Sequence, residues 1–382
     1  MMIDERDGAD VTPATDWLLG PVSREEFLRD HQGRRHLLLR RRSPGHYREL
    51  FSLARLDELL SGSGLHSGAV RVVRDGHADG GAAGLEDLYA RYRDGSTLIM
   101  PSVHERWPPL RELCRRLAGE FSAECRVNAY LTPPRARGFG VHHDSHDVFV
   151  LQVAGTKRWR IHEDARREDA RREFDLCEGD LLYLPRGLPH EAASAQGASL
   201  HLSVGVHPLT WADVLLAGCE AAVSADPGCQ EPLPFGFART SGGRAATRER
   251  IRELTARLMT VLTPERLADD AVDMALLAEG DRLGGHLLDL TGLAGLDAGT
   301  AVRLRPGLRW ESRRDAGTLV LAFHGKRLSL PARHEAAFLR MADGEPFTAA
   351  GLPGEDGLAL VRRLVEEGFL TLATSGRPGG AI

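Results

Sequence analysis

Three textures follow one another along the chain. From Asp16 to about Leu60, apolar residues recur in short runs that read as helices. SREEFLRDH sets Ser23 three residues ahead of Glu26, a capping-box pattern, and HLLLR (36–40) is an apolar run short enough to be a buried strand. AVRVVRD (69–75) is a strand-like piece in a Gly-rich stretch, and LEDLYARYRDG (85–95) is helical up to Gly95. LRELCRRLAGEF (110–121) puts Leu110, Leu113, Cys114 and Leu117 on one helical face. From Arg126 to Val206 the rhythm changes. VNAYLTP, HDVFVLQVAG, KRWRIH, GDLLYLPRG and ASLHLSVGV are short β-type runs punctuated by Gly and Pro, which predicts an antiparallel double-sheet barrel of the jelly-roll or cupin kind. After His207-Pro208 helical spacing returns in LTWADVLLAGCEAAVSA (209–225) and TRERIRELTARLMTVLT (247–263), joined by a Pro-, Gly- and Cys-containing loop over 226–246. LVLAFHGKRLSLP (319–331) reads as a hairpin around His324-Gly325-Lys326, followed by helix, helix and strand, a small helical domain with a β wing.

These textures predict an α+β protein. The expected divisions are a loose segment over 1–15, a barrel with a helical lead-in over 16–207, a helical region over 208–299, a winged-helix-like unit over 300–373 and a loose tail over 374–382. The length of 382 residues agrees with two to three domains at about 150 residues each. Composition narrows the class: 42% hydrophobic and 27% charged residues are ordinary for a globular chain and rule out disorder as its main state. No run approaches the roughly 18 apolar residues of a membrane span, and the acidic start MMIDERDGAD lacks the apolar segment of a secretory leader. Five scattered cysteines without a CxxC disfavour a disulfide framework and suggest a cytoplasmic protein. A net charge of −5 gives no global nucleic-acid signature.

The chemistry concentrates in GFGVHHDSHDVFVLQ (138–152). His142 and Asp144 are two residues apart, so in a strand both side chains reach one face. A third ligand must come from another strand, and His190 in GDLLYLPRGLPHEA is the natural candidate. Two histidines and one carboxylate on one face are the facial triad of non-haem Fe(II) oxygenases, which leaves coordination positions open for co-substrate and dioxygen. An isolated HxD is a weak signal, and His143 and His146 make the string rich in histidine; their own roles are not legible. The β context and the second histidine after a strand strengthen it.

The stretch NAYLTPPRARGFGVHHDSHDVFVLQVAGTKRWRIHE (128–163), continued by GDLLYLPRGLPHEA and SLHLSVGVHP, resembles the JmjC-type cupin family that includes the ribosomal oxygenases, 2-oxoglutarate-dependent protein hydroxylases. Weaker similarity covers most of residues 16–372, and that family's order of parts is a double-stranded β-helix barrel, a helical dimerisation region and a winged-helix domain. The resemblance implies Fe(II) on His142, Asp144 and His190, with 2-oxoglutarate as co-substrate. Lys157, fifteen residues after His142, matches the basic residue that pairs with the distal carboxylate. Lysine occurs only at Lys157 and Lys326 among 49 Lys and Arg residues, so a lysine here answers a specific need. A surface lysine in AGTKRW is the competing reading. Asn128 matches an asparagine near the co-substrate, or is a turn-forming residue before a strand. His201 matches a pocket histidine of some members, or is a core histidine. Tyr130 faces the pocket or packs the barrel.

The resemblance further implies a His or Arg side chain of a ribosomal protein as target, with 2-oxoglutarate and O2 converted to succinate, CO2 and a hydroxylated product. A small molecule or a ribosomally made peptide is the alternative substrate; peptide hydroxylation is expected to favour a broad, partly acidic groove and a small substrate a closed pocket. A non-catalytic metal-binding cupin is the third reading; it needs no basic residue poised for a dicarboxylate. Apolar faces on 209–225 and 247–263 suggest a homodimer. The charge-alternating run REDARREFD (167–175) reads as a solvated face or a loop insertion. The arginines of RRHLLLRRR read as a solvated strand end, and LALVRRLVEEGF balances two basic residues with two acids, so nucleic-acid binding is not expected.

Overall fold

The computed structural model describes residues 13–62, 70–162, 171–277, 284–315, 317–354 and 356–373. Expectations for 1–12 and 374–382 lie outside the described residues. One compact unit ends at Pro208 and a second begins at Leu209.

The first unit opens with helices α1 (Ala14–Leu19) and α2 (Arg24–Asp30), strand β1 (Leu37–Leu39) and helix α3 (Leu53–Gly62). Helix α1 begins inside the stretch expected to be loose. The Glu120 carboxylate accepts from the Ala14 and Thr15 amides (2.6 and 3.0 Å), so a distant acid caps this helix, which local sequence cannot announce. Ser23 caps α2 as its pattern predicts, its hydroxyl accepting from the Glu26 amide. Then follow β2 (Arg71–Arg74), β3 (His77–Gly81), α4 (Leu85–Arg93), β4 (Thr97–Met100), α5 (Pro108–Phe121), β5 (Ala123–Thr132), β6 (Asp147–Ala154), β7 (Thr156–His162), β8 (Arg171–Cys177), β9 (Leu181–Leu184), β10 (His190–Ser194) and β11 (Ser199–Pro208).

These strands form two sheets, an eight-stranded one in the order β1-β9-β6-β11-β5-β4-β2-β3 and a three-stranded one in the order β10-β7-β8. The alternation of side chains divides the apolar residues of the large sheet between two cores. Val127, Ala129 and Leu131 of β5, Phe149 and Leu151 of β6 and Leu202 and Val204 of β11 pack with the helices, α5 among them. Val148 and Val150 of β6 turn the other way and pack with Trp159 and Ile161 of β7 and Leu182 of β9. The same alternation sends Asn128, Tyr130 and Thr132 of β5 and His201 of β11 toward the inner side, and the register pairs His201 with Tyr130 and Ser199 with Thr132.

Strand β8 decides between the two alternatives for the charged run. Positions 171–175 form a largely solvated strand face and not a loop insertion: they pair with β7, where Arg158 meets Asp175 at 2.8 Å and Arg160 meets Glu173 at 2.5 Å, while 167–170 lie outside the described residues. Cross-strand ion pairs make a strand out of a sequence with little apolar alternation.

The second unit contains α6 (Trp211–Ala225), α7 (Ser241–Val261), α8 (Pro264–Leu277) and α9 (His286–Gly292). Helix α7 starts six residues earlier than its apolar pattern, because Thr240 caps it by accepting from the Gly243 amide. Strands β12 (Ala301–Leu304), β13 (Trp310–Asp315), β14 (Thr318–Phe323) and β15 (Lys326–Pro331), helix α10 (Glu335–Met341), strand β16 (Phe347–Thr348), helix α11 (Gly357–Glu366) and strand β17 (Leu370–Leu372) follow. The predicted hairpin is present as β14 and β15, with β13 added on its far side. Among the described residues no helix is long and apolar enough to cross a membrane.

Candidate metal and co-substrate site

His142 lies on an irregular extended segment that runs antiparallel beside β10. It exchanges two backbone hydrogen bonds with His190, at 3.1 and 2.8 Å. That pairing fixes the two imidazoles side by side, with ring centroids 4.4 Å apart. Asp144 is tied by its carbonyl, which accepts from the Gly187 amide at 2.8 Å, and its carboxylate sits 3.6 Å from His190 Nε2. One ligand atom from each of His142, Asp144 and His190 lies within 4.8 Å of the others.

The remaining imidazole nitrogens are also occupied. His142 Nδ1 is 2.9 Å from the Gly140 carbonyl and His190 Nδ1 is 2.9 Å from the Leu188 carbonyl. A carbonyl only accepts, so each Nδ1 carries the proton and each Nε2 presents a lone pair, as metal-ligating histidines do. Burial lowers the pKa of His190, which favours the neutral, ligating form. The donor set of two imidazoles and one carboxylate fits a divalent first-row metal with open positions.

Asp147 holds the turn that delivers His190, and the sequence reading did not single it out. Its carboxylate accepts from the Tyr183 hydroxyl at 2.8 Å and from the Arg186 amide at 2.9 Å.

Lys157 lies deeper, 2% exposed, on the inward face of β7. Its ammonium donates to Thr132 Oγ1 at 3.0 Å and lies 3.4 Å from His201 Nδ1. Burial pushes its pKa down from 10.5 to about 7 and holds His201 well below its usual range, with Lys157 adding to the effect on His201. Tyr130 stacks on His201 with centroids 4.8 Å apart and planes 8° from parallel; burial raises its pKa to about 12. The structure thus gathers Lys157, His201 and Tyr130. Asn128 is on the same face of β5, but its Oδ1 is engaged by the Ser102 amide at 3.0 Å. Thr132 was missed, although it is two residues beyond Tyr130 on the same face.

At the ligand candidate Asp144, the residues His143, Asp144, Ser145, His146, Arg186 and Gly187 line a cavity of about 570 Å³. Among these lining residues the one acid is the ligand candidate Asp144, which faces Arg186 and two histidines across the same cavity. His146 stacks on His207 at 4.0 Å, over Gly205, where an added Cβ would come within 2.8 Å of the His146 ring.

Comparison with known proteins places this geometry. Residues 106–214 match the family described as JmjC domain. This likeness covers less than a third of the chain. Its matched segment holds β5 to β11 and all three ligand candidates. The chain is 31% identical over 249 residues to "Ribosomal oxygenase 1" of Gallus gallus, covering 57% of this chain and 41% of that one. It is 30% identical over 227 residues to "Bifunctional lysine-specific demethylase and histidyl-hydroxylase NO66" of Aedes aegypti, covering 52% and 35%. The chain therefore spans less than half the length of these relatives. Among solved structures, YcfD, a ribosomal oxygenase of Escherichia coli in complex with cobalt and succinic acid, aligns over 93% of this chain and 99% of its own, with a TM-score of 0.58 and 20% identity. The same protein with cobalt and 2-oxoglutarate gives a TM-score of 0.54 at 20% identity. At that identity the likeness establishes the fold alone, one shared with YcfD.

Proposed function

We propose that this protein is an Fe(II)- and 2-oxoglutarate-dependent oxygenase that hydroxylates a His or Arg side chain of a ribosomal protein. The observation that carries the proposal is the pairing of the His142–Asp144–His190 cluster with a buried lysine below it. A merely metal-binding cupin has no use for an ammonium placed where no acid neutralises it. In this reading His142, Asp144 and His190 hold the metal through two Nε2 atoms and a carboxylate oxygen. Lys157 and Thr132 receive the distal carboxylate of 2-oxoglutarate, and Tyr130 and His201 form the wall beside it. Asn128 completes the co-substrate end through its amide nitrogen.

Bound Fe(II), with co-substrate and O2, supplies the oxidising power needed at an unactivated C–H bond. The residues do the rest. The two Nδ1–H bonds to Gly140 and Leu188 fix ring orientation. Depth in the barrel excludes water around Lys157. The rim of His143, Ser145, His146 and Arg186 opens outward, where a side chain presented by a macromolecule enters more easily than it would a closed pocket.

The substrate class rests on the names of the relatives, several of which are ribosomal oxygenases. A cytoplasmic homodimer belongs to the same proposal, with 208–299 as dimerisation region and 300–373 as winged-helix-like domain. It is supported by the apolar residues exposed on α6 and α7: Trp211 (85%), Leu216 (69%), Ile251 (55%) and Met259 (63%). Basic residues of the C-terminal unit are paired with acids: Arg313 with Asp273, Arg314 with Glu335 and Arg333 with Asp356. That pairing supports a protein-contact role over a phosphate-gripping one.

The test is a comparison of intact masses of ribosomal proteins from wild-type and deletion strains. The proposal expects one protein to lose the mass of one oxygen atom on deletion. No difference on any ribosomal protein would move the assignment to a small molecule or a ribosomally made peptide.

A further inference from the structure

Strand β7 turns Lys157, Trp159 and Ile161 to the inner side in succession, and the sequence reading absorbed only the first. Trp159 is 5% exposed. Its ring lies 5.9 Å from that of His190 and 5.6 Å from that of His201, the latter at 78°. One neighbour is a metal-ligand candidate and the other touches Lys157, so the indole spans the wall between the two ends of the site. Tryptophan has one polar atom, a donor. Among the described residues the buried Nε1–H of Trp159 has no hydrogen-bond partner. The contrast within the chain is Trp107, whose Nε1–H donates to the Leu50 carbonyl at 2.9 Å.

An orphaned N–H in a dry interior is uncommon, and each instance calls for an explanation. Phenylalanine would fill this wall without stranding a donor. We propose that Trp159 is a co-substrate-binding residue, whose indole N–H donates to an oxygen of bound 2-oxoglutarate. The inference rests on the co-substrate reading above and deepens it. A dianion reaching from the metal ligands to Lys157 passes along this wall and brings oxygen acceptors to a donor that the protein leaves unmet. The ordered pocket then has three donors for an oxygen-rich ligand: the Lys157 ammonium, the Thr132 hydroxyl and the Trp159 indole.

The test uses the full chain loaded with Zn(II), labelled with ¹⁵N-indole tryptophan. The five tryptophans give five indole signals, and Trp159 is assigned by elimination with Trp17→Phe, Trp107→Phe, Trp211→Phe and Trp310→Phe. Saturating 2-oxoglutarate is expected to move the Trp159 N–H signal downfield. Trp159→Phe is expected to weaken 2-oxoglutarate binding by roughly tenfold or more, the range for losing a hydrogen bond to a charged acceptor. Its Zn(II) affinity should stay at the wild-type value. An unmoved Trp159 signal in a protein that binds 2-oxoglutarate overturns this inference alone, and so does a folded Trp159→Phe protein with wild-type affinity. If that variant fails to fold, the wild-type spectrum still decides. Failure of the wild-type protein to bind 2-oxoglutarate at all overturns the co-substrate reading together with this one.

Discussion

Replacing Lys157 with methionine should make the metal-free, ligand-free protein more stable and at the same time blind to 2-oxoglutarate. The ammonium is 2% exposed and its polar contacts are the Thr132 hydroxyl and His201 Nδ1. Burial is the cause that lowers its pKa from 10.5 to about 7. With the folded value depressed, the unfolded chain binds more protons between pH 7 and pH 10.5. Stability from this group therefore rises with pH across that window and is smallest below pH 7. The full span corresponds to about 5 kcal/mol at 1.36 kcal/mol per pKa unit. Methionine keeps the length of the chain without the charge, but strips Thr132 and His201 of a partner, which returns about 1–2 kcal/mol. Lys157→Met should accordingly gain roughly 2–4 kcal/mol at pH 7, an advantage that shrinks by about 2 kcal/mol at pH 9. Urea unfolding of both proteins at the two pH values measures this. A variant no more stable than wild type at pH 7, or an advantage that does not shrink at pH 9, would refute the argument. The same physics governs the ligand. A carboxylate facing Nζ restores the proton, so wild-type binding should take up a proton above pH 7 and weaken by up to about tenfold per pH unit. Calorimetry in buffers of differing ionisation enthalpy reads that uptake directly.

Four further outcomes follow from the geometry. Asp144→Ala should lower bound Co(II) or Fe(II) to background in a metal analysis while leaving the thermal midpoint of the metal-free protein near wild type, since the Asp144 side chain is 30% exposed. Thr132→Val should keep the metal and weaken 2-oxoglutarate by roughly five- to tenfold, about 1–1.5 kcal/mol for one hydrogen bond, as read by thermal shift with graded ligand. Gly155→Ala, at φ +69° with a new Cβ 2.0 Å from the Ala198 carbonyl, should destabilise the β6–β7 turn by about 3 kcal/mol or more; an unchanged denaturation midpoint would contradict that geometry. Trp211→Ser with Leu216→Glu should convert the proposed dimer to a species near 41.7 kDa in light scattering, whereas a wild-type protein already at that mass would remove the dimer from the account.

The convergence of His142, Asp144 and His190 was legible because its pattern is local. His142 and Asp144 are two residues apart, and although their segment is irregular and not the strand that spacing suggested, their ligand atoms still converge; a Gly-Asp turn, a strand and a second turn announce His190. Lys157 stood out by the rarity of lysine. What the sequence hid depends on pairing between distant strands. The contact of Lys157 with Thr132 and His201 needs β5, β7 and β11 brought together, and no local pattern states that register. Trp159 carried a signal that went unused, since it is two residues beyond Lys157. Strand β8 was hidden for another reason: its charges are satisfied across the sheet by Arg158 and Arg160, so it lacks the apolar alternation that marks a strand. The early start of α7 was concealed by Ser-Gly-Gly, poor helix formers that the Thr240 cap carries into the helix.

The central claim is turnover of 2-oxoglutarate at the His142–Asp144–His190 cluster. Succinate release from the 382-residue chain, with equimolar Fe(II) confirmed by metal analysis and 2-oxoglutarate and O2 present, tests it most directly. The account predicts succinate from the wild-type protein, with or without a hydroxylatable partner, and none from Asp144→Ala. Iron bound in full and 2-oxoglutarate left unconsumed, alone and with added ribosomal proteins, would contradict it.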